Sequence, residues 1–330
     1  MVHRQLLPLF LVIGLVVSTA VASEAQQLAM ISGSEPTVSA PDSGVVLKKH
    51  IDEVNVVFTV TDGGGHFIRN LNQNSVELRD NDQPPGSVQY FRQQSDLPLR
   101  VALLIDMSSS IEKRFKFEQQ AAAAFFKKTL RPGVDQAFVM GFDNELHLVQ
   151  DSTDSVSQID RAMKNLKPGG NTALFDAVVA ASRKLREDRT GEVTRRAIIL
   201  LTDGYDTQSR AILRDAQLEA ARAEVSIFAL NTSLSRVYNR GTAVLEMLCN
   251  PTGGHLLEAR EKADLSAAFA RIEEALRSQH LLGYRPANFQ RDGSFHQIRI
   301  QPRKSSLKVQ CRRGYFAPQD TSAAVQPAHF

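Results

Sequence analysis

The chain has 330 residues, with 39 Lys and Arg against 36 Asp and Glu, and only two cysteines. Charge so nearly balanced, with basic residues scattered along the chain, excludes the electrostatic footprint of a nucleic-acid binder. Two cysteines exclude a disulfide-built scaffold, and the length asks for one or two domains.

Residues 1–22 carry one firm positive charge, Arg4, then an apolar run over 6–17 and the small-x-small pattern Ala20-Val21-Ala22. That order reads as a secretory signal peptide, with an uncleaved anchor as the alternative. The run is short for a bilayer span and contains Pro8. Cleavage after Ala22 is expected, giving an exported protein, periplasmic or extracellular, with no membrane span in the mature chain. Residues 23–44 are rich in Ser, Ala, Gln and Pro without periodicity and read as a flexible leader.

From residue 45 to 95 the pattern alternates. Val54, Val56, Phe58 and Val60 share one face, and Asp62-Gly63-Gly64-Gly65 breaks the strand. His66-Phe67-Ile68 begins another strand, Val76 and Leu78 mark a third, and 88–91 a last short one. The segment reads as a small β module with the turn spacing of a sandwich.

After Pro98 strands alternate with helices. Apolar strands are predicted over 101–105, 137–142, 146–149, 197–201 and 225–230, with a short one at 256–257. Helices are predicted over 115–130, around 156–166, over 173–185 and 211–223, and over 264–277 with Asp264 as N-cap. This is the grammar of a doubly wound, mostly parallel, Rossmann-like α/β sheet over 98–278. Cys249 lies in the apolar run VLEMLCN and reads as a buried free thiol; whether it pairs with Cys311 depends on a separation that sequence does not supply.

Beyond Gln279, alternation returns at Leu281, Leu282 and Tyr284, at Ile298 and Ile300, and at Leu307 and Val309. Residues 281–316 are too few to bury these faces alone, and the same holds for 45–95. The two segments are therefore expected to form one β-sandwich-like module from which the α/β domain emerges as an insertion, with 317–330 a disordered tail.

The chemistry gathers where strands end. The run 101–105 stops at Asp106, followed by Ser108 and Ser110, oxygen-bearing side chains at alternating positions. Residues 168–172, PGGNT, form a Gly-rich loop opening a helix, with Thr172 as a further hydroxyl. The run 197–201 ends in Thr202-Asp203-Gly204. In a sheet of order 3-2-1-4-5-6 the first and fourth strands are neighbours, so Asp106 and Asp203 should face each other at the switch point. One or two carboxylates among hydroxyls suit a hard cation such as Mg²⁺.

Asp106-x-Ser108-x-Ser110 with Thr172 and Asp203 resembles the metal-ion-dependent adhesion site of von Willebrand factor type A domains. More narrowly, the chain resembles a bacterial family of secreted proteins built on that domain, over roughly residues 50–318. That family sets a β segment such as VTDGGGHFIRNLNQNSVELRDNDQ before the domain and a segment such as LLGYRP…FHQIRIQP…LKVQCRRGYFAP after it. The resemblance implies that Ser108, Ser110 and Thr172 supply hydroxyl oxygens, that Asp106 and Asp203 act largely through water, and that a partner protein's acidic side chain completes the shell of Mg²⁺, or of Mn²⁺ in its place.

Taken singly, Ser108 and Ser110 could cap a helix and Asp203-Gly204 could be a turn. Asp206 reads as a solvated loop residue, and His147, His255 and His296 as isolated structural histidines. No nucleophile elbow, HExxH or P-loop motif is present, and no catalytic residue is assigned. The expected function is therefore non-enzymatic protein binding. The alternatives are an envelope scaffold with no metal-dependent partner and a phosphotransferase, although the position two after Asp106 is serine rather than the second acid such chemistry needs.

Overall fold

The structure, a computed structural model, describes residues 53–93, 97–109, 115–187 and 193–319. The signal peptide and leader expected over 1–44 lie outside the described residues, as does Ser110. All of the described residues belong to one contact unit, His50–Phe330.

The chain opens with β1 (Val54–Thr61), β2 (Val76–Asp80) and β3 (Ser87–Gln93), then enters the α/β region at β4 (Leu99–Asp106). There follow α1 (Phe115–Thr129), β5 (Gln136–Phe142), β6 (Leu146–Thr153), α2 (Val156–Lys164), α3 (Leu174–Glu187) and β7 (Arg195–Thr202). The region continues with α4 (Leu213–Ala223), β8 (Val225–Asn231), α5 (Arg240–Cys249), β9 (Leu256–Glu258) and α6 (Lys262–Arg277). The last strands are β10 (His280–Arg285), β11 (Phe295–Pro302), β12 (Lys308–Cys311) and β13 (Gly314–Phe316).

The central sheet runs β6-β5-β4-β7-β8-β9. Every pairing is parallel except β5 with β6, an antiparallel edge. All eight residues of β4 are buried, as a strand covered on both faces must be. Its alternate side chains divide between two cores. Val101, Leu103 and Ile105 join Phe126, Ile159, Phe269 and Ile272 beneath α1, α2 and α6. Ala102 and Leu104 join Leu174, Val178, Ala216, Ala220 and Leu245 beneath α3, α4 and α5. Cys249 is buried in the second core, and both cysteines are free thiols.

The strands before β4 and after α6 pair with one another across the whole length of the α/β region. One sheet has the order β12-β1-β10-β3 and the other β13-β11-β2. In the first, Val54 faces Tyr284 and Val60 faces Val309; in the second, Leu78 faces Ile300. Val56, Phe58, Leu282 and Tyr284 of one sheet share a core with Leu78, Ile298, Ile300 and Tyr315 of the other. Neither set of strands could bury this surface alone.

Four details depart from expectation. His66-Phe67-Ile68 forms no strand, only a single bridge from Thr61 to Phe67. Arg271 lies over the Phe67 ring and donates to the Gly65 carbonyl, which holds this loop against α6 instead of along a sheet. Asp264 is not the N-cap of α6: Glu261 is, and Asp264 accepts from the Glu261 N–H at 3.2 Å, the return arm of a capping box. Strand β13 lacks an expectation altogether. The ordered chain also runs beyond 316, because Ala317 is buried and donates to the Ser294 carbonyl, and Gln319 bridges Asp292. Residues 320–330 lie outside the described residues. Among the described residues no helix is long and apolar enough to cross a membrane.

Candidate metal centre

The carboxyl ends of β4 and β7 lie side by side, with Ile105 in register with Leu201. The chain leaves β4 at Asp106 and β7 at Thr202, so Asp106 and Asp203 occupy adjacent exits. Asp106 is fully buried. Its Oδ1 accepts the Ser108 N–H at 2.8 Å, and its Oδ2 accepts the Thr202 hydroxyl at 2.6 Å. Burial pushes the Asp106 carboxyl up to about 6; these hydrogen bonds pull it down, and the nearby charge of Asp203 raises it further.

Thr202 is the residue that sequence reasoning missed. Besides donating to Asp106, its hydroxyl accepts the Gly204 N–H at 3.1 Å and so shapes the turn carrying Asp203. Gly204 has φ +85°, and a Cβ there would sit 2.4 Å from the Gly241 carbonyl oxygen at the start of α5. Glycine is required for both reasons. The signal for Thr202 was a hydroxyl ending an otherwise apolar run.

The PGGNT loop is stitched to three neighbours. Gly169 donates to the Met107 carbonyl, and Ser109 donates its backbone N–H to the Gly170 carbonyl at 3.4 Å. On the β5 side, the Asn171 N–H reaches Asn144 Oδ1 at 2.9 Å, and Ala173 donates to the Asp143 carbonyl at 2.8 Å. On the β7 side, the Thr172 N–H donates to Thr207 Oγ1 at 3.0 Å, while Thr207 and Gln208 donate to the Thr172 carbonyl. Loops after β4, β5 and β7 therefore meet along residues 169–173, where Thr172 is buried, as is Ser108.

A further clamp fixes the loop after Asp203. Asp176 in the first turn of α3 accepts the N–H groups of Arg210 and Ala211 at 3.0 and 2.9 Å. Asp206 accepts the Phe175 N–H and the Ser209 hydroxyl, so it works as a brace in place of the solvated role expected from sequence. His147 sits 3.1 Å from Asp143 Oδ1 on β6, away from His255 and His296, and among the described residues no three His, Cys, Asp or Glu side chains gather as a metal cage. What the two strand exits bring together is the carboxylates of Asp106 and Asp203 beside the Thr202 hydroxyl, with Ser108 and Thr172 buried in the neighbouring loops.

Residues 101–205 match the model of the von Willebrand factor type A domain family, a span that includes Asp106, Ser108, Ser110, Thr172 and Asp203. Among curated proteins no sequence matches significantly. The fold is similar to that of the PilB minor pilin from Streptococcus sanguinis, with 14% identity, TM-score 0.46, and coverage of 56% of this chain and 62% of the pilin. This chain thus spans less than two thirds of the pilin's length. It is similar also to the vWF domain of the type V pili tip protein Mfa5 from Porphyromonas gingivalis, with 15% identity, TM-score 0.44, and coverage of 54% and 94%. A third likeness is to a von Willebrand factor type A protein from Catenulispora acidiphila, with 12% identity, TM-score 0.44, and coverage of 82% and 74%. Likenesses this distant leave the functional reading to the residues themselves.

Proposed function

We propose that this is an exported, non-enzymatic protein-binding protein of adhesion or envelope type, which takes an acidic side chain of its partner through Mg²⁺ held by Asp106, Ser108, Ser110, Thr172 and Asp203. The observation that carries the reading is the stitching of three loops around the adjacent exits of β4 and β7. A face this heavily braced is pre-organised, and pre-organisation lowers the cost of binding. The donor set supports the cation: the charge of Asp203 disfavours the ionised form of buried Asp106, which a cation relieves. Bound there, Mg²⁺ would supply an electrophilic position for a carboxylate, since hydroxyls neutralise little of its charge.

Support for export comes from the order of residues 1–22, with Arg4, the apolar run and Ala20-Val21-Ala22. The narrower kinship, with bacterial secreted proteins built on this domain, rests on the flanking β segments. Both pair into one module that meets the α/β region beside the start of β8, where Arg312 lies 2.7 Å from Glu224 and Gln310 donates to the Gly254 carbonyl at 2.7 Å, and along α6, where Arg271 lies over Phe67. The opposite, carboxyl-end face is thereby left to a partner.

Full-length protein immobilised on resin and washed with envelope and culture fractions of its native host tests the proposal. Protein retained in Mg²⁺, released by EDTA, and not retained by Thr172→Ala is the expected result. Retention indifferent to EDTA and to Thr172→Ala would favour a metal-independent scaffold.

A further inference from the structure

A cavity lies at the other end of the α/β sheet, between the sandwich and the amino ends of β7 and β8. The outward-facing Asn55 and Val57 of β1, together with Gln279 and Arg312, line it from the sandwich side. Thr194, Glu224 and Ser226 are among the residues that line it from the α/β side. The space open to the centre of a water molecule is about 40 Å³.

Three polar atoms bordering this space have no protein partner. Gln279 is 5% exposed, and its Oε1 accepts nothing. Arg312 is 9% exposed; its Nη1 lies 2.7 Å from Glu224 Oε1 and its Nη2 donates to the Asn55 carbonyl at 2.8 Å, yet its Nε–H has no acceptor. The Thr194 hydroxyl is likewise unpaired. Buried polar atoms are nearly always satisfied, by protein or by ordered water. The three require both roles from whatever fills the space: an acceptor for Arg312 and a donor for Gln279.

We propose that this cavity is a site for ordered water, which joins Gln279, Arg312 and Thr194 and so completes the interface between the sandwich and the α/β domain. Water both donates and accepts, whereas a bare anion would satisfy Arg312 and repel Gln279 Oε1. That space exceeds the ~10–15 Å³ a cavity needs to hold a water. Through the Thr194 hydroxyl the water network is held by the α/β domain as well as by Gln279 and Arg312 of the sandwich side. The hub therefore fixes how the sandwich sits on the amino ends of strands whose carboxyl ends carry the metal face.

The test pairs a crystal structure of the full chain, grown in bromide, with melting curves of Gln279→Leu and Thr194→Val. Water peaks at hydrogen-bond distance from both Gln279 Oε1 and Arg312 Nε are expected, with no anomalous bromide signal in the cavity. Gln279→Leu strands the Arg312 Nε–H and its water, so its melting temperature should fall, and Thr194→Val should fall less. Were the cavity dry, both variants would remove an unsatisfied atom and melt higher. Empty density, a bromide peak, or an unchanged or raised melting temperature for Gln279→Leu overturns the proposal. Mg²⁺ titration should be the same in these variants as in the wild type, which separates this outcome from any failure of the metal face.

Discussion

Asp106→Asn is expected to raise the melting temperature of the metal-free protein above pH 6 and, in the same protein, to abolish Mg²⁺ binding. Burial at the end of β4 pushes the Asp106 carboxyl up to about 6, and Asp203 adds to the effect. In the unfolded chain the same group titrates near pH ~3.9. Folding therefore takes up a proton between those values. The contribution favours the fold fully below about pH 4 and is lost as pH rises through about 6. Above that, the fold carries a buried charge at a cost of up to roughly 3 kcal/mol.

Asparagine keeps an oxygen for the Ser108 N–H and removes the charge. In EDTA the variant should melt with the wild type near pH 4 and pull several degrees ahead by pH 8. In Mg²⁺ the gap should close or reverse, because only the wild type gains from the ion. Asp203→Ala should act in the same direction and more weakly, since burial is the largest cause of the shift at Asp106 and the charge of Asp203 comes after it. Melting curves that superimpose at every pH in EDTA would contradict the account of Asp106 as a buried charge.

The largest loss of stability is expected from Asp80→Ala, far from the metal face. Asp80 closes β2 and is buried between the two sheets of the sandwich. Its Oδ2 accepts the hydroxyls of Tyr284 at 2.7 Å and Tyr315 at 2.9 Å, and its Oδ1 lies 3.2 Å from His296 Nδ1. Burial and these bonds to Asp80 drive both tyrosines far above their usual range. One carboxylate thus joins β2 to β10, β11 and β13, strands more than 200 residues away along the chain. Alanine would leave two buried hydroxyls and an imidazole without their acceptor, at a cost of about 3 kcal/mol or more. Urea unfolding should show that loss, and Tyr315→Phe, which removes one partner cleanly, should cost far less. A cost for Asp80→Ala within about 0.5 kcal/mol of the wild type, the range of an ordinary surface change, would show that the network does not hold the sheets together.

Much of this architecture is legible in the sequence because it rests on short-range patterns. The unbroken apolar run of β4 shows a strand covered on both faces, and alternating strands and helices give the sheet order that sets Asp106 beside Asp203. The alternation Val54, Val56, Phe58, Val60 shows a half-buried strand without a cover, and the cover is supplied by Leu282, Tyr284, Ile298 and Ile300. What stays illegible is cross-chain side-chain bonding. Nothing local reveals that the Thr202 hydroxyl is spent on Asp106, that Asp176 braces the loop at Arg210 and Ala211, or that Asp80 gathers two tyrosines and a histidine. Strand β13 has three residues, too few for a period to register. Asp264 looks like an N-cap because capping residues cluster at helix starts; Glu261 three residues earlier takes that place, with Asp264 reaching back to its N–H.

The central claim, that the carboxyl ends of β4 and β7 hold a divalent cation, is tested most directly by calorimetric titration of Mg²⁺ into the full-length protein, its Thr172→Ala variant and its Asp203→Ala variant. One Mg²⁺ per chain is expected for the wild type, with affinity lowered at least ~100-fold in each variant while circular dichroism shows the fold intact. Equal Mg²⁺ heats from all three proteins, or none from the wild type, would contradict it.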